Sequence, residues 1–366
     1  MSYILAIIVF GLLIFVHELG HFLVAKLSGI TVLQFTIGFG PAIFKKKVGE
    51  TLYAVRLLPL GGAVMMQGEG DEDAEKLLTG EKEFRADEQP LPPEGSYAEA
   101  SLPRRFAVCV AGAAMNFLTG VIIVFLLLLP YSYRSVPVIS GFLEGFPYTA
   151  EDNGGVGFEV GDRIVRVNDF HIFTMSDFST AMMYDDDARY DITIRRGDEK
   201  IQLRDFEMKA TVLDQDSGSY LYGFQLTAAE LGFFDKMVYA CKTSMTYLQS
   251  AVLSVKMMLT GQVGTQDMMG TVGIASQMGE MARTSMSTMW NFVAYISINL
   301  AFVNLLPIPA LDGGHIFFLI LDTLAIRLFR RKIPDRYENA LNSACFALLM
   351  GFMLLVTFHD VFRLFQ

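Results

Sequence analysis

The run from Tyr3 to Leu27 contains no lysine or arginine before Lys26, yet His17, Glu18 and His21 lie inside it. A bilayer-spanning helix needs about 20 consecutive apolar residues. Ionisable side chains within such a helix are expensive and mark function by default. The chain is constrained twice at its start: it must cross a membrane, and it must accommodate three polar side chains at that depth.

Three further runs have the same character. Phe106 to Tyr131 is uncharged, Met289 to Leu311 continues past the single acid Asp312 to Leu321, and Asn339 to Phe358 is uncharged. With 52% hydrophobic and 19% charged residues, the 366-residue chain is read as an α-helical polytopic membrane protein of about four spans, not a water-soluble one. The first run is read as a span and not a signal peptide, because no basic residue precedes it and the polar cluster occupies the place of a cleavage site.

Lysine and arginine near the spans set the expected topology. Lys26, Arg104, Arg105, and the group Arg327, Arg330, Arg331, Lys332 and Arg336 mark cytosolic loops. Both termini and the segment from about Ser132 to Thr288 are then extracytoplasmic, in a multi-pass protein of the cell (plasma or inner) membrane. The net charge of -10 is concentrated between Glu69 and Glu99, where eleven acids face Lys76, Lys82 and Arg85. This Gly-, Pro- and Ser-rich stretch reads as a solvated loop and argues against a nucleic-acid partner. Cys109, Cys241 and Cys345 form no CxxC pair, so neither a disulfide nor a zinc role is assigned to them.

On a helix, His17 and His21 stand one above the other and present two imidazoles to one metal ion, with Glu18 one step round. This is the arrangement of a zinc hydrolase, in which the glutamate takes a proton from an activated water. Catalytic zinc takes three protein ligands. The candidates are His171, His315, His359 and any acid at membrane depth. Asp312 stands out, because it interrupts the third run in Asn304-Leu305-Leu306-Pro307-Ile308-Pro309-Ala310-Leu311-Asp312-Gly313-Gly314, where two prolines and two glycines break the helix. Broken backbone at that depth is tolerated only inside protein or beside a watery cavity. His315 is the competing ligand.

HELGH in a first span and NLLPIPALDGG in a third, separated by a soluble insert, resemble the site-2 protease family of intramembrane zinc metalloproteases (peptidase family M50), in particular the bacterial RseP type with one PDZ domain. The resemblance implies a Zn2+ cofactor held by His17, His21 and Asp312, with Glu18 as catalytic base. It also implies that Asn304 helps to hold substrate, with Pro307, Pro309 and Gly313 shaping the break. By residue type alone, Asn304 is equally a helix-to-helix hydrogen bond.

Phe35 to Pro41 and Leu52 to Gly62 read as strands ending in glycine turns, and resemble the family's membrane-associated β-hairpin. A strand edge there could take an unwound substrate by strand addition. Ala111 to Asn116 resembles an AGPxxN segment with Ala113 in place of proline, and Gly270 to Ile274 a GPVGI segment with Thr271 in place of proline. Gly161-Asp162-Arg163-Ile164-Val165-Arg166-Val167-Asn168 resembles the GDxIxxVN signature of PDZ domains, among short strands (Arg163 to Val167, Tyr190 to Arg195, Tyr220 to Leu226) and a helix-like stretch, Ser176 to Tyr184. Such a unit would filter substrates by size or capture a peptide or substrate ectodomain.

From Leu231 to Leu259 apolar residues such as Phe234, Val238, Met245 and Val252 recur at helical spacing, as in a helix lying on the membrane surface or packed on the inserted unit.

The expected organisation is a first transmembrane helix with HExxH at 1–28, the hairpin and acidic loop on the cytosolic side at 29–104, and a second helix at 105–131. An inserted extracytoplasmic PDZ-like β/α domain follows at 132–228, then an amphipathic helix and linker at 229–287. A third transmembrane helix with the LDG break occupies 288–326, a basic loop 327–338 and a fourth helix 339–366. The expected activity is cleavage of the transmembrane segments of single-span proteins in the lipid bilayer, such as pre-trimmed anti-sigma factors or remnant signal peptides. The competing readings are a non-proteolytic PDZ-bearing scaffold, and a metal or ion transporter, for which no repeated halves speak.

Overall fold

The computed structural model describes residues 2–68, 95–183, 188–209, 212–214, 219–262, 269–330 and 335–363, so most of the acidic stretch lies outside the described residues. The elements run α1 (Ser2–Leu27), β1 (Val32–Val48), β2 (Thr51–Met66), α2 (Leu102–Leu128), β3 (Tyr133–Phe142), β4 (Arg163–Val167) and β5 (Phe170–His171). They continue with α3 (Met175–Met183), β6 (Arg189–Arg196), β7 (Glu199–Glu207), β8 (Val212–Asp214), β9 (Ser219–Leu221) and β10 (Phe224–Glu230). Five helices close the chain: α4 (Phe233–Thr260), α5 (Thr271–Thr284), α6 (Met286–Asn304), α7 (Asp312–Phe329) and α8 (Asp335–Arg363).

Among the described residues, four helices are long and apolar enough to cross a membrane: Ile4–Leu27, Leu102–Leu128, Met286–Asn304 and Tyr337–Asp360. The third expected span is shorter than its apolar run. Helix α6 stops at Asn304 and α7 starts afresh at Asp312, because Pro307 and Pro309 supply no N–H for a continuing helix.

Two compact units divide the chain, Met1–Ile123 with Ser254–Gln366, and Val124–Leu253. In the first, α1, α5 and α6 share a core of Ala6, Val9, Leu13, Ala275, Met278, Met289 and Val293. Helix α5 occupies what the sequence suggested was linker; its glycine-rich start hides the helical period. Small residues let α1 and α2 approach closely: a Cβ on Gly20 would meet Ala111 O at 2.5 Å.

The hairpin is more elaborate than two paired strands. Ile37 pairs with both Gly62 and Val55, and Gln34 with both Met65 and Leu52. Each long strand doubles back, so four segments lie side by side in the order 62–66, 32–37, 51–58, 42–48. Gly38, Gly40 and Gly61, at φ of 88°, 86° and 102°, turn these corners in a region other residues avoid. One outer segment carries Lys45, Lys46 and Lys47, which discourage edge-to-edge pairing. The other, beginning Gly62-Ala63-Val64, is uncharged and adds no further strand among the described residues.

The second unit is an antiparallel sheet in the order β10-β3-β4-β6-β7, with β5 on β4. Its core holds Phe158, Ile164, Phe178, Ile192, Ile194 and Met208, each contributing roughly 2 kcal/mol by burial. The expected strand Tyr220 to Leu226 is two strands, because Gly223 at φ 78° turns the chain between them. Asp162, fully buried, accepts two hydrogen bonds of 2.8 Å from Arg196, which also reaches Gly157 O and Glu159.

Helix α4 buries small and polar residues and leaves much of its apolar stripe exposed. Ala240, Ser244, Thr246 and Ala251 are buried, while Phe234, Val238, Met245 and Val252 from the apolar stripe are exposed. The contact with α3 is polar: Thr246 Oγ1 donates to Asp177 Oδ2 at 2.9 Å and Gln249 Nε2 to Asp177 Oδ1 at 3.1 Å.

Candidate metal centre

Two elements of the first unit bring the polar residues of the opening run to one point. Helix α1 presents His17 and His21 a turn apart, and the first residue of α7 presents Asp312. His17 Nε2 lies 3.2 Å from His21 Nε2 and 3.2 Å from Asp312 Oδ2, and His21 Nε2 lies 3.4 Å from the same oxygen. Among the described residues this is the group of His, Cys, Asp or Glu side chains close enough to share a metal ion.

The break that delivers Asp312 is built from close backbone packing. A Cβ on Gly313 would lie 2.1 Å from Leu306 O, and one on Gly314 would lie 2.5 Å from Ile308 O. Only glycine lets the segment holding Pro307 and Pro309 fold against the start of α7. Ala310 takes φ 72°, and its N–H donates to Asn342 Oδ1 on α8 at 3.2 Å.

Hydrogen bonding decides what these atoms can be. His21 Nδ1 lies 2.8 Å from Val108 O on α2, so Nδ1 carries a proton and, in the neutral ring that ligates a metal, Nε2 presents the lone pair. That lone pair points toward Asp312 Oδ2, which is buried and has no hydrogen-bond partner among the described residues. Converging lone pairs repel unless a cation lies between them. Zinc bonds of 2.0–2.1 Å to nitrogen and oxygen imply ligand separations of about 3.3 Å in a tetrahedral site. Two imidazoles and a carboxylate with the observed separations fit that ion.

Glu18 is on the adjacent step of α1, against the uncharged outer segment of the hairpin, where a Cβ on Gly62 would lie 2.6 Å from Glu18 Cγ. On the opposite side, a Cβ on Gly112 of α2 would lie 2.3 Å from His21 Nε2 and 2.7 Å from His17 Nε2. Asn304, at the end of α6, places Nδ2 3.4 Å from His17 Nδ1, and Asn116 does the same from α2. Sequence reasoning passed over Gly62, Gly112 and Asn116. The Ala111 to Asn116 segment carries a resemblance in the sequence but no assigned role, although a glycine and an asparagine four residues apart on a spanning helix is the available signal.

Among the described residues, the other histidines stand outside this group. His315 Nδ1 faces Glu338 at 3.8 Å, His171 belongs to the second unit and stacks on Phe173, and His359 lies on α8.

The model for peptidase family M50 matches residues 5–352. The chain belongs to that family. A Clostridium perfringens relative, whose name assigns it provisionally to the zinc metalloproteases, is 33% identical over 99% of this chain and 98% of its own length. The regulator of sigma-W protease RasP of Bacillus subtilis and the zinc metalloprotease RasP of Bacillus licheniformis are each 28% identical, covering 98% of both chains. This M50 peptidase is an intramembrane zinc metalloprotease and a multi-pass membrane protein.

Proposed function

We propose that His17, His21 and Asp312 hold the zinc ion and that Glu18 is the general base of peptide-bond hydrolysis. The observation that carries this reading is the convergence of three ligand atoms at 3.2–3.4 Å beside a glutamate on the same helix. Zinc, when bound, supplies Lewis acidity that makes water nucleophilic at neutral pH and polarises the scissile carbonyl. Glu18 takes the proton from the attacking water and returns it to the leaving amine, so one carboxylate serves both steps. Asn304, whose amide nitrogen lies 3.4 Å from His17 Nδ1, holds the substrate backbone.

The uncharged outer segment beginning Gly62-Ala63-Val64 is the substrate's dock. A transmembrane helix hides its peptide bonds in its own hydrogen bonds, so hydrolysis needs an extended stretch. Strand addition at this edge supplies one, and Gly62 sets the extended backbone next to Glu18. The substrates are then single-span membrane proteins already shortened outside the membrane, such as anti-sigma factors or remnant signal peptides. The name of the Bacillus subtilis relative, regulator of sigma-W protease, supports the first class.

The second unit is a single PDZ-like domain on the extracytoplasmic side, together with both termini. Its fully buried Asp162, in the signature segment, is held by Arg196 of β6, and the basic residues after α7 support the orientation. Its role is to filter substrates by size, with the exposed apolar stripe of α4 resting on the membrane surface.

The test uses the purified full chain and a detergent-solubilised single-span substrate. Wild type cleaves, a chelator abolishes cleavage, and Glu18→Gln keeps zinc but loses activity. Equal cleavage by Glu18→Gln removes Glu18 from the mechanism. A zinc-loaded wild type that cleaves no such substrate overturns single-span proteins of this kind as the substrate class.

A further inference from the structure

The outer nitrogen of His17 faces the wrong chemistry. An imidazole that ligates through Nε2 carries its proton on Nδ1 and needs an acceptor there. His21 has one in Val108 O at 2.8 Å. His17 Nδ1 instead faces the NH2 nitrogens of Asn116 and Asn304, each at 3.4 Å. Amide NH2 groups donate and do not accept.

A second fault lies in the same place. Asn116 is 1% exposed, and its Oδ1 is buried with no hydrogen-bond partner among the described residues. An unpaired buried acceptor of this kind costs about 1–3 kcal/mol. The residue's main chain is fixed, with its carbonyl accepting from Ser297 Oγ at 2.7 Å, so the remedy must lie in the side chain. The oxygen and nitrogen of an amide have nearly the same shape, and a half-turn exchanges them. That one rotation gives the Nδ1 proton of His17 an acceptor and gives the orphaned oxygen a donor.

We propose that Asn116, in this orientation, is a positioning residue that fixes the tautomer of His17 and so aims its Nε2 at the metal. The inference rests on the reading of His17 as a zinc ligand. It makes one stripe of α2 the template for both imidazoles. Val108 accepts from His21, Gly112 one turn on leaves room for both rings, and Asn116 one turn further accepts from His17. It also divides the two asparagines: Asn116 accepts, and Asn304 keeps its NH2 for donation to substrate.

The test compares wild type, His17→Ala, Asn116→Leu, Asn116→Asp and Asn304→Leu as full chains in detergent, by competition for zinc with a chelator. Asn116→Leu weakens zinc binding about 10–100-fold, the usual effect of losing a ligand's supporting partner. Asn116→Asp, whose carboxylate only accepts, stays close to wild type. Asn304→Leu keeps its zinc. In 15N-histidine spectra of the zinc-loaded protein, the Nδ1–H resonance of His17 moves in Asn116→Asp and not in Asn304→Leu. Wild-type affinity in Asn116→Leu overturns the inference, and so does an equal loss in Asn116→Asp, because the amide would then be a donor. Should the leucine variant fail to fold, a His17 Nδ1–H that Asn116→Asp leaves unmoved overturns it as well. Wild-type affinity in His17→Ala has a different meaning: it overturns the ligand reading itself, and the inference falls with it.

Discussion

Replacing Gly112 by alanine adds one methyl group and should weaken zinc binding at the proposed centre at least about tenfold. In an ordinary helix the change is favourable by about 1 kcal/mol. Here the added carbon would stand 2.3 Å from His21 Nε2, 2.6 Å from His17 Cε1 and 2.7 Å from His17 Nε2, where ordinary contact begins at 3.4 Å. The His21 nitrogen must retreat by 3.4 − 2.3 = 1.1 Å. Zinc sites hold their bond lengths to about 0.2 Å, so the retreat exceeds that tolerance roughly fivefold. Loss of a supporting contact alone weakens zinc about 10–100-fold, and displacing a ligand atom should do no less, a penalty of at least ~1.4 kcal/mol. Chelator competition reads the affinity, and thermal melting of the zinc-free protein reads the fold. Gly351→Ala on α8, where an added Cβ meets nothing within 4 Å, is the control and keeps wild-type zinc. If Gly112→Ala binds zinc as tightly as wild type, α2 does not face the ligand nitrogens as described and the template argument fails.

Three other perturbations test separate parts of the molecule. Gly62→Ala sets a Cβ 2.6 Å from Glu18 Cγ, which is flexible and is not a ligand atom; zinc is retained while kcat falls by up to ~100-fold, as expected for a displaced reacting group. Arg196→Ala leaves the fully buried Asp162 carboxylate without its partner and destabilises the second unit by about 3 kcal/mol, seen as a lower Tm; a change below about 1 kcal/mol would show that the pair is of the surface kind. Burial pushes the Asp177 carboxyl above its ordinary range, against the hydrogen bonds from Thr174, Thr246 and Phe173 that lower it. A raised acid favours its protonated form in the native state, so its stabilising contribution is full below pH ~3.9 and is lost as pH rises through the raised value. Asp177→Asn removes that slope, so wild type loses melting temperature relative to the variant from about pH 4 upward.

What was legible in the sequence had either a strong period or an improbable residue. The four spans declared themselves by length and absence of charge, and His17, Glu18, His21 and Asp312 by standing where ionisable groups are rare. Arg163 to Val167 was readable as a strand to the residue. What was illegible depended on three-dimensional register. Gly38, Gly40 and Gly61 signal turns, but nothing local tells a simple hairpin from one that doubles back to pair Ile37 on both sides. The polar residues that α4 buries were illegible for a related reason. Apolar periodicity finds a face that avoids water, and a membrane surface satisfies that face as well as a protein core does, while Thr246 and Gln249 pack inward because Asp177 is there to receive them.

The same distinction explains the composition of the centre. The residues proposed to act are polar, and a single sequence exposes them by their cost in hydrocarbon. The residues that put them in place are small: Gly20 admits α2 to α1, Gly112 admits the imidazoles to α2, Gly62 admits the strand to Glu18, and Gly313 and Gly314 admit the broken segment to α7. Between membrane helices, close packing is the available attraction, since lipid supplies no hydrophobic drive to bring them together. A centre assembled from one helix, one strand edge and one broken segment at that depth therefore needs a glycine at each approach. Its sensitivity to added methyl groups should follow that pattern, and not the pattern of distance from zinc.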